Sequence, residues 1–165
     1  MMESASEHTF RAVMSQFATG LTVVASLDEL REPAGLTCQS FSSLSLEPQL
    51  ALVCIGREST SWARIEPTGR FAVSILADDQ REISTLLGSS RSDKFRAVSW
   101  HASAHGTVHI NGSLATVDCL VHAVHDAGDH RLVIGEVVDL AVGARAAPLL
   151  FFRGDYITVG AIPES

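Results

Sequence analysis

The fold of this chain is decided by residues 114–142, which have the sequence LATVDCLVHAVHDAGDHRLVIGEVVDLAV. Two runs rich in apolar and β-branched residues, Leu114–His125 and His130–Val142, flank the segment DAGD, whose glycine is typical of a hairpin turn. A third strand-like run follows at Leu149–Val159. Because short loops join these runs, we expect adjacent antiparallel strands rather than a parallel sheet wound with helices.

Four more strands and three short helices are predicted before this stretch. The strands cover Leu21–Ser26, Ala34–Phe41, Leu50–Ile55 and Phe71–Leu76. Helices are expected from Phe10 to Phe17 with Thr9 as N-cap, from Ser59 to Ile65, and from Asp79 to Leu87 with Glu82 completing a capping box. This pattern predicts a mainly β fold, an antiparallel barrel or sandwich with short helices.

Length, composition and charge exclude several classes of protein. The chain has 165 residues, of which 46% are hydrophobic, so it is one domain and not an intrinsically disordered chain. A net charge of −7 argues against a nucleic-acid partner, and the lack of a long apolar run argues against a membrane one. Three widely spaced cysteines favour the reducing cytoplasm. We expect residues 1–7 to be loosely ordered or disordered and 8–160 to form the domain.

A cluster of hydroxyl side chains is the densest polar feature on an apolar background. Residues 37–45, TCQSFSSLS, contain five hydroxyls and one amide where a predicted strand ends. Hydroxyls and free backbone N–H groups can bind a phosphate without lysine, although a serine-rich turn would give the same pattern. No glycine-rich nucleotide motif of the Rossmann or P-loop type is present. Cys38 could be a nucleophile, but its apolar neighbours favour simple packing.

Histidines supply two further candidate sites. His130 follows Asp129 at the predicted hairpin, and a histidine there could serve a site or simply end a strand. Adjacent strand residues point to opposite faces, so we do not expect Asp129 to orient His130. His101, His105 and His109 are four residues apart, but no carboxylate or cysteine with ligand spacing accompanies them, so no metal site is expected.

Several motifs occur in a fixed order along the chain. They are FRAVMSQFATGLTVVA (10–25), GLTCQSFSSLSLEPQL (35–50), FAVSIL (71–76) with Gln80, DKF (93–95), LATVDC (114–119), GDH (128–130) with IGEV (134–137), and PLLFFRG (148–154) with Tyr156. Together they resemble the flavin reductase-like, FMN-binding split-barrel family, which includes the reductase components of two-component flavin-dependent monooxygenases. The resemblance extends over about residues 8–160.

The resemblance implies a Greek-key split β-barrel that forms a homodimer and transfers hydride from NADH or NADPH to FMN or FAD. It further implies that reduced flavin diffuses to a separate monooxygenase. The residues it places around the flavin are Thr37, Gln39, Ser40, Phe41, Ser42, Ser43, Ser59, Ser61, Lys94 and Phe95. It places His130 beside the nicotinamide as the catalytic residue, with Arg153 and Tyr156 nearby.

Two other functions are compatible with the sequence. The same barrel could be a non-catalytic flavin- or haem-binding protein, because a fold does not fix a function. A hydrolase using serine, cysteine or histidine is disfavoured, because the chain lacks the G-x-S-x-G motif.

Overall fold

Twelve strands and three α-helices are present in residues 6–159, the part of the chain that the computed structural model describes. The helices are α1 (Glu7–Met14), α2 (Thr60–Ile65) and α3 (Arg81–Leu87). The strands are β1 (Thr19–Gly20), β2 (Thr22–Leu27), β3 (Pro33–Cys38), β4 (Ser42–Leu46), β5 (Gln49–Gly56), β6 (Arg70–Ile75), β7 (Trp100–Ala102), β8 (Val108–Ile110), β9 (Ala115–Ala127), β10 (His130–Val142), β11 (Leu150–Phe152) and β12 (Asp155–Ile157). No helix within this range is long and apolar enough to cross a membrane.

Seven of these strands form one antiparallel sheet in the order β3-β2-β6-β9-β10-β5-β4. The predicted hairpin is confirmed as β9–β10, in which Ala127 pairs with His130 across a turn. Gly128 occupies that turn with a φ of 64°, a conformation that glycine adopts without steric cost. Two small sheets, β1-β11-β12 and β7-β8, accompany the main one.

The sheet curls so that β3 meets β5 across a shared core. Ala34 and Cys38 of β3 belong to the same buried cluster as Val53 and Ile55 of β5, although four strands separate β3 from β5 in the sheet. Alternate residues of β5 are buried, as expected for a strand with one face toward the core. This contact closes the sheet into the predicted mainly β, split-barrel architecture.

A serine hydroxyl continues the sheet where its last strand ends. Leu52 is the last residue of β5 that pairs with β4. Beyond it, Ser40 accepts a hydrogen bond from the Cys54 N–H (2.8 Å) and donates one to the Cys54 carbonyl (3.1 Å). The Ser40 side chain therefore joins the segment after β3 to β5 and satisfies backbone groups that β4 does not reach.

Close packing inside the barrel requires glycine at position 135. A Cβ atom built there would lie 2.7 Å from both the Phe71 ring and the Cys119 Cβ. Phe71 is 1% exposed and packs edge-to-face on Trp62. Because protein interiors are close-packed, a side chain at 135 would displace the centre of this core.

A second core covers the outer face of β2. Val23 and Ala25 point to this side and pack with residues of α3 and β8, including Leu87, Val108 and Ile110. Every residue of β2 is buried as a result. Burial on both faces explains why β2 has a nearly continuous apolar sequence instead of an alternating one.

A buried carboxylate fastens the β7–β8 region to β9. Asp118 is 1% exposed and accepts hydrogen bonds from Ser103 (3.1 Å) and from Thr107, and its second oxygen lies 2.8 Å from His109 Nε2. Burial alone would raise the pKa of Asp118, but the His109, Thr107 and Ser103 contacts outweigh it and lower the pKa below its ordinary value.

The N-terminal helix begins earlier than predicted. Ser6, not Thr9, is the N-cap, since its hydroxyl accepts a hydrogen bond from the Thr9 N–H, and the helix starts at Glu7. The segment 1–7 expected to be loosely ordered thus contributes Ser6 and Glu7 to this helix, while residues 1–5 lie outside the described range. The apolar stripe of α1 is exposed, and Phe17 just after it is 74% exposed.

Three other local predictions were wrong. Gln80, not Asp79, caps the turn before α3 by accepting a hydrogen bond from the Ala77 N–H. The run 149–159 is two short strands, because Arg153 and Gly154 have positive φ and form a turn. The strand predicted to reach Phe41 ends at Cys38, and β4 was not predicted, because its serine-rich sequence lacks the apolar pattern of the other strands.

We expect Asp118→Asn to lower the free energy of unfolding by about 3 kcal/mol at pH 7, because one partner of a buried hydrogen-bonded pair is lost. The folded pKa of Asp118 is lowered, so its contribution is complete above the ordinary value of 3.8 and is lost as the pH falls through the folded pKa. Urea unfolding at several pH values should therefore show the free energy of unfolding of the wild type falling toward that of Asp118→Asn at acid pH. Asp139→Asn, at the paired but exposed position of β10, is the control, and a pH-independent gap for Asp118→Asn would contradict the assignment.

Candidate functional site

An open cleft of about 510 Å³ lies between the end of β3, the helix α3 and the turn of the β9–β10 hairpin. Its walls are formed by Leu21, Leu36, Thr37, Cys38, Gln39, Ser40, Cys54, Gly56, Ser84, Thr85, Gly88, His130, Phe151 and Tyr156. This volume is in the range of pockets that hold small organic ligands. Five residues predicted to bind ligand are brought together here: Thr37, Gln39, Ser40, His130 and Tyr156.

Polar groups line the β3 side of the cleft. Thr37 donates a hydrogen bond of 2.6 Å to the carbonyl of Ser84, which fixes α3 against β3. The side-chain oxygen of Gln39 accepts a hydrogen bond of 3.1 Å from Thr19. Within residues 6–159, the two N–H donors of the Gln39 amide have no protein partner, so they can serve a ligand.

Tyr156 forms a fixed part of the opposite wall. Its hydroxyl lies 3.1 Å from the Ser84 hydroxyl and 3.2 Å from that of Thr85. Its ring packs edge-to-face on Phe151, and the Arg81 guanidinium lies 4.7 Å from the ring centre. These contacts orient the aromatic wall of the cleft before any ligand arrives.

His130 is oriented by its neighbour Asp129, contrary to the expectation from strand geometry. His130 Nδ1 lies 2.8 Å from an Asp129 carboxylate oxygen. The prediction was wrong because Asp129 belongs to the turn, where side chains do not alternate as in a strand. The His130 contact lowers the pKa of Asp129, and this arrangement leaves His130 Nε2 available to the cleft.

A second cavity of about 200 Å³, which we call the Lys94 cavity, lies beside the first half of β3, at residues 33–35. Ser61, Lys94 and Phe95 line it, so the structure divides the predicted flavin-binding residues between two spaces. Lys94 donates to the carbonyls of Leu87 (3.0 Å) and Gly35 (3.3 Å) and to the Ser61 hydroxyl (3.2 Å). Burial, with a smaller effect of Arg64, lowers the pKa of Lys94.

Phe95 presses on the backbone of β3 in this cavity. A Cβ atom at position 35 would lie 2.8 Å from the Phe95 ring, so only glycine allows this approach. Gly35 and Phe95 therefore form adjoining parts of the wall of the Lys94 cavity.

The remaining predicted ligands have other contacts in the structure. Ser40 lines the cleft, but its hydroxyl is used by Cys54. Phe41 packs against the barrel core, and Ser59 caps α2 through the Trp62 N–H. Ser42 and Ser43 are both exposed in β4.

Arg153 lies away from the cleft walls. Its guanidinium binds the Gln16 side chain at 2.8 Å, and its backbone N–H binds the carbonyl of Ser15 at the end of α1. Arg153 thereby attaches α1 to the β11–β12 turn.

Several cleft residues were missed by sequence reasoning. Ser84 and Thr85 of α3, Gly56 at the end of β5, and Phe151 reach the cleft only through the tertiary fold. The adjacent hydroxyls of Ser84 and Thr85, followed by Gly88, were the only local signal that could have indicated them.

The cysteine and histidine alternatives find no support in the geometry. Burial raises the pKa of Cys38, which keeps its thiol protonated and a poor nucleophile. His101 contacts Asn111, His109 contacts Asp118, and His105 lies 3.6 Å from Asp139. Among residues 6–159, no three potential ligands converge as a metal site would require.

Comparison with known proteins agrees with this geometry. The family described as "Flavin reductase like domain" matches residues 14–160. This chain belongs to the flavin reductase-like family. It is 46% identical over 158 residues to the reductase subunit HsaB of a flavin-dependent monooxygenase from Mycobacterium tuberculosis, covering 94% of this chain and 83% of that protein.

Solved structures of other flavin reductase-like proteins share the fold. A homologue of nitrilotriacetate monooxygenase component B from Mycobacterium thermoresistibile has a TM-score of 0.90 and 43% identity, covering 96% of this chain and 91% of that one. The NADH:FAD oxidoreductase SgcE6 of Streptomyces globisporus C-1027, in complex with NAD and FAD fragments, has a TM-score of 0.89 and 30% identity, covering 97% and 96%. The predicted split-barrel family and fold are therefore confirmed.

We expect Ser40→Ala to lower the free energy of unfolding by about 1–3 kcal/mol, because the Cys54 N–H and carbonyl lose their side-chain partner. Ser42→Ala is the matched control, since the Ser42 hydroxyl bonds only the neighbouring Ser43 carbonyl at the surface. The free energy of unfolding of Ser42→Ala should differ from that of the wild type by no more than about 0.5 kcal/mol. Urea denaturation of both variants measures the difference, and equal effects would contradict the closure role of Ser40.

Proposed function

We propose that this chain is an NAD(P)H-dependent flavin reductase that transfers hydride to FMN or FAD. The observation that carries the proposal is the cleft itself, in which the polar end of β3 faces His130 and Tyr156 within a flavin reductase-like domain. The named relatives include a monooxygenase reductase subunit and an NADH:FAD oxidoreductase.

The residues around the cleft fit a flavin. Gly56 lines the cleft, and a Cβ atom there would meet no atom within 4 Å, so space remains beside the end of β5. The Gln39 amide N–H groups can donate to a carbonyl at the edge of a flavin ring, whereas the Thr37 hydroxyl, whose proton is donated to the Ser84 carbonyl, can accept a hydrogen bond from a ring N–H. Phe151 and Tyr156 provide an apolar wall on the other side.

When bound, flavin supplies the hydride-accepting chemistry, and the protein supplies position and electrostatics. Thr37 and Gln39 would hold the ring edge at the end of β3. Lys94 would act on the phosphate side through its positive charge, because its three N–H groups are donated to Gly35, Ser61 and Leu87, and the Ser61 hydroxyl keeps its own proton for a phosphate oxygen. Ser40 and Ser59 would act by shaping the walls, because their hydroxyls already bond the backbone.

His130 would bind the nicotinamide donor. With Asp129 on Nδ1, the imidazole is held in one orientation and presents Nε2 to the cleft. Hydride transfer needs no general base, so we assign His130 to positioning the carboxamide of the donor beside the flavin. Tyr156 would support the same side as an aromatic wall, and Arg153 would act only through its contact with α1.

A separate monooxygenase would consume the product. Relatives of this chain include the reductase subunit of a flavin-dependent monooxygenase and the flavin reductase component of a two-component tryptophan halogenase. We therefore propose that reduced flavin leaves the open cleft by diffusion to such a partner, with no nucleic acid or membrane involved, and that both proteins act in the cytoplasm.

A matrix of NADH and NADPH against FMN and FAD tests this proposal. Loss of absorbance at 340 nm that depends on added flavin is the expected result. Flavin binding without nicotinamide oxidation in any of the four combinations would instead indicate a non-catalytic flavin-binding protein.

We expect His130→Ala to lower kcat/KM for NADH about tenfold, the value of one hydrogen bond, while flavin affinity stays unchanged. Steady-state kinetics and a flavin titration measure the two quantities separately. His125→Ala is the matched control, because this histidine is exposed on the same hairpin but lies outside the cleft walls. A fully active His130→Ala variant would exclude the positioning role.

We also propose that the chain forms a homodimer through its exposed apolar surface. Leu120, Val124, Val138 and Leu140 lie exposed on the long β9–β10 hairpin, and the exposed stripe of α1 adds Phe10, Val13, Met14 and Phe17. Apolar surface of this extent on a folded domain is typical of an interface.

We expect Leu140→Glu, which places a charge on the 59% exposed side chain of β10, to shift the protein toward monomer. Sedimentation equilibrium gives the mass in solution. Leu30→Glu is the control, because Leu30 is more exposed but lies in the turn between β2 and β3. A monomeric wild type would refute the homodimer.

A further inference from the structure

Ser84 is the residue at which the two walls of the cleft are joined. It lies at the centre of α3 and is 1% exposed. Its carbonyl binds Thr37 on the β3 side of the cleft, and its hydroxyl binds Tyr156 on the opposite side. Serine is neutral or unfavourable inside a helix, so these tertiary contacts, and not helix propensity, favour serine at this position.

The carbonyl of Ser84 determines which way the Thr37 hydroxyl points its proton. Thr37 donates to this carbonyl at 2.6 Å, and the N–H of Gly88 donates to the same oxygen at 3.0 Å as part of the end of α3. Because the Thr37 proton is used in this way, the Thr37 oxygen is left as an acceptor. The position of α3 therefore fixes the hydrogen-bonding character of Thr37.

The hydroxyl of Ser84 holds the end of the Tyr156 side chain. Tyr156 donates to it at 3.1 Å, in a partly buried contact. The Thr85 hydroxyl lies at 3.2 Å from the same phenol, but this contact is exposed, and Thr85 already donates to the carbonyl of Arg81. A buried group that loses its partner costs more free energy than an exposed one that water can bind, so the Ser84 contact is the more important of the two.

A fixed phenol oxygen fixes the plane of the aromatic ring. The other end of the Tyr156 ring packs edge-to-face on Phe151, with ring centres 5.4 Å apart. With both ends held, the ring cannot rotate into or out of the cleft. Hydride transfer requires the two reacting rings to lie within about 3.5 Å of each other, so a wall that moves would lower the fraction of productive encounters.

We propose that Ser84 is a positioning residue for hydride transfer, acting through Tyr156 and Thr37. It holds the two walls of the cleft against α3, and the ligands contact the walls. This inference rests on the proposed function and adds to it a residue whose role is to keep the cleft in its reactive shape.

Ser84→Ala and Tyr156→Phe remove the same hydrogen bond from its two ends. Anaerobic stopped-flow absorbance of the flavin-saturated protein, mixed with NADH or NADPH, measures flavin reduction separately from product release. Each variant should reduce flavin about tenfold more slowly at saturating donor, the value of one hydrogen bond. KM for the donor should change by no more than about twofold, because the contact acts on geometry and not on uniform binding.

The double variant Ser84→Ala/Tyr156→Phe tests whether the two residues act as one unit. Its rate should be no lower than that of the slower single variant, because the bond can be lost only once. Rate losses that multiply would overturn the proposal. Tyr156→Phe also keeps the test decisive if Ser84→Ala does not fold, since Tyr156 is partly exposed and phenylalanine retains the ring.

Ser113→Ala is the matched control. The Ser113 hydroxyl is also buried, at 4% exposure of the residue, and donates to the carbonyl of Ile110 at 2.7 Å, outside the cleft walls. It should lower the free energy of unfolding in urea without slowing flavin reduction. Thr85→Val should slow reduction less than Ser84→Ala. An equal loss of rate in Ser113→Ala, or a larger one in Thr85→Val, would contradict the role of Ser84.

Tyr156 is the only tyrosine of the sequence, so isotope-labelled tyrosine gives an NMR signal from this residue alone. Ser84→Ala should shift its Cζ resonance toward that of free tyrosine, and Ser113→Ala should not. An unchanged resonance in Ser84→Ala would overturn the inference even in an active reductase. A wild type that oxidises neither NADH nor NADPH would refute the proposed reductase and the role in hydride transfer with it, whereas the resonance would still show whether Ser84 orients the cleft wall.

Discussion

The structure depends on the closure of one seven-stranded sheet upon itself. Closure brings β3 against β5 even though the sheet order places four strands between them, and the buried cluster around Phe71 forms only because of that contact. The hydroxyl of Ser40 takes over backbone hydrogen bonds where β4 stops pairing. Ser40 thus covers the part of the β5 edge that β4 leaves unpaired. Because the N–H and carbonyl of Cys54 are hydrogen-bonded to Ser40, they do not need water as a partner.

Closure also determines where ligands can bind. Beyond Cys38 the chain leaves the barrel, and the polar side chains at that exit face α3 and the β9–β10 turn instead of the core. Phe95 and Lys94 both contact Gly35 of β3, and they line the Lys94 cavity and not the cleft. The site is therefore built on rigid strands, with contributions from segments that are distant in sequence.

Strand periodicity was enough to predict the central hairpin and the barrel class, because the pattern of 114–142 and the buried run of β2 are local properties. The site was predicted only in part. Ser40 and Ser42 are neighbours in a hydroxyl-rich segment, yet one bonds Cys54 and the other lies on an exposed strand. Hydroxyl composition cannot distinguish these environments.

Contacts between distant segments and the exact position of one turn account for the remaining differences between the predicted and the observed site. Tyr156 meets Ser84 and Thr85 across more than 70 residues, and no spacing rule predicts that contact. The pairing of Asp129 with His130 depends on one residue being in the turn, and strand boundaries are the least certain part of a sequence-based prediction.

Lys94 has a chemical consequence for handling the protein. It is the single lysine of the sequence, and the other 11 of the 12 Lys and Arg residues are arginines. Its ammonium makes three hydrogen bonds in the Lys94 cavity. Acylating reagents modify the amine of lysine but not the guanidinium of arginine. The side-chain amine available to them therefore lies in the Lys94 cavity and not on the outer surface. Acylation there would remove a positive charge and break the contacts to Gly35, Ser61 and Leu87 together. Acylation of Lys94 would therefore be expected to inhibit the protein, so dyes and surfaces are better attached by a chemistry that does not target amines.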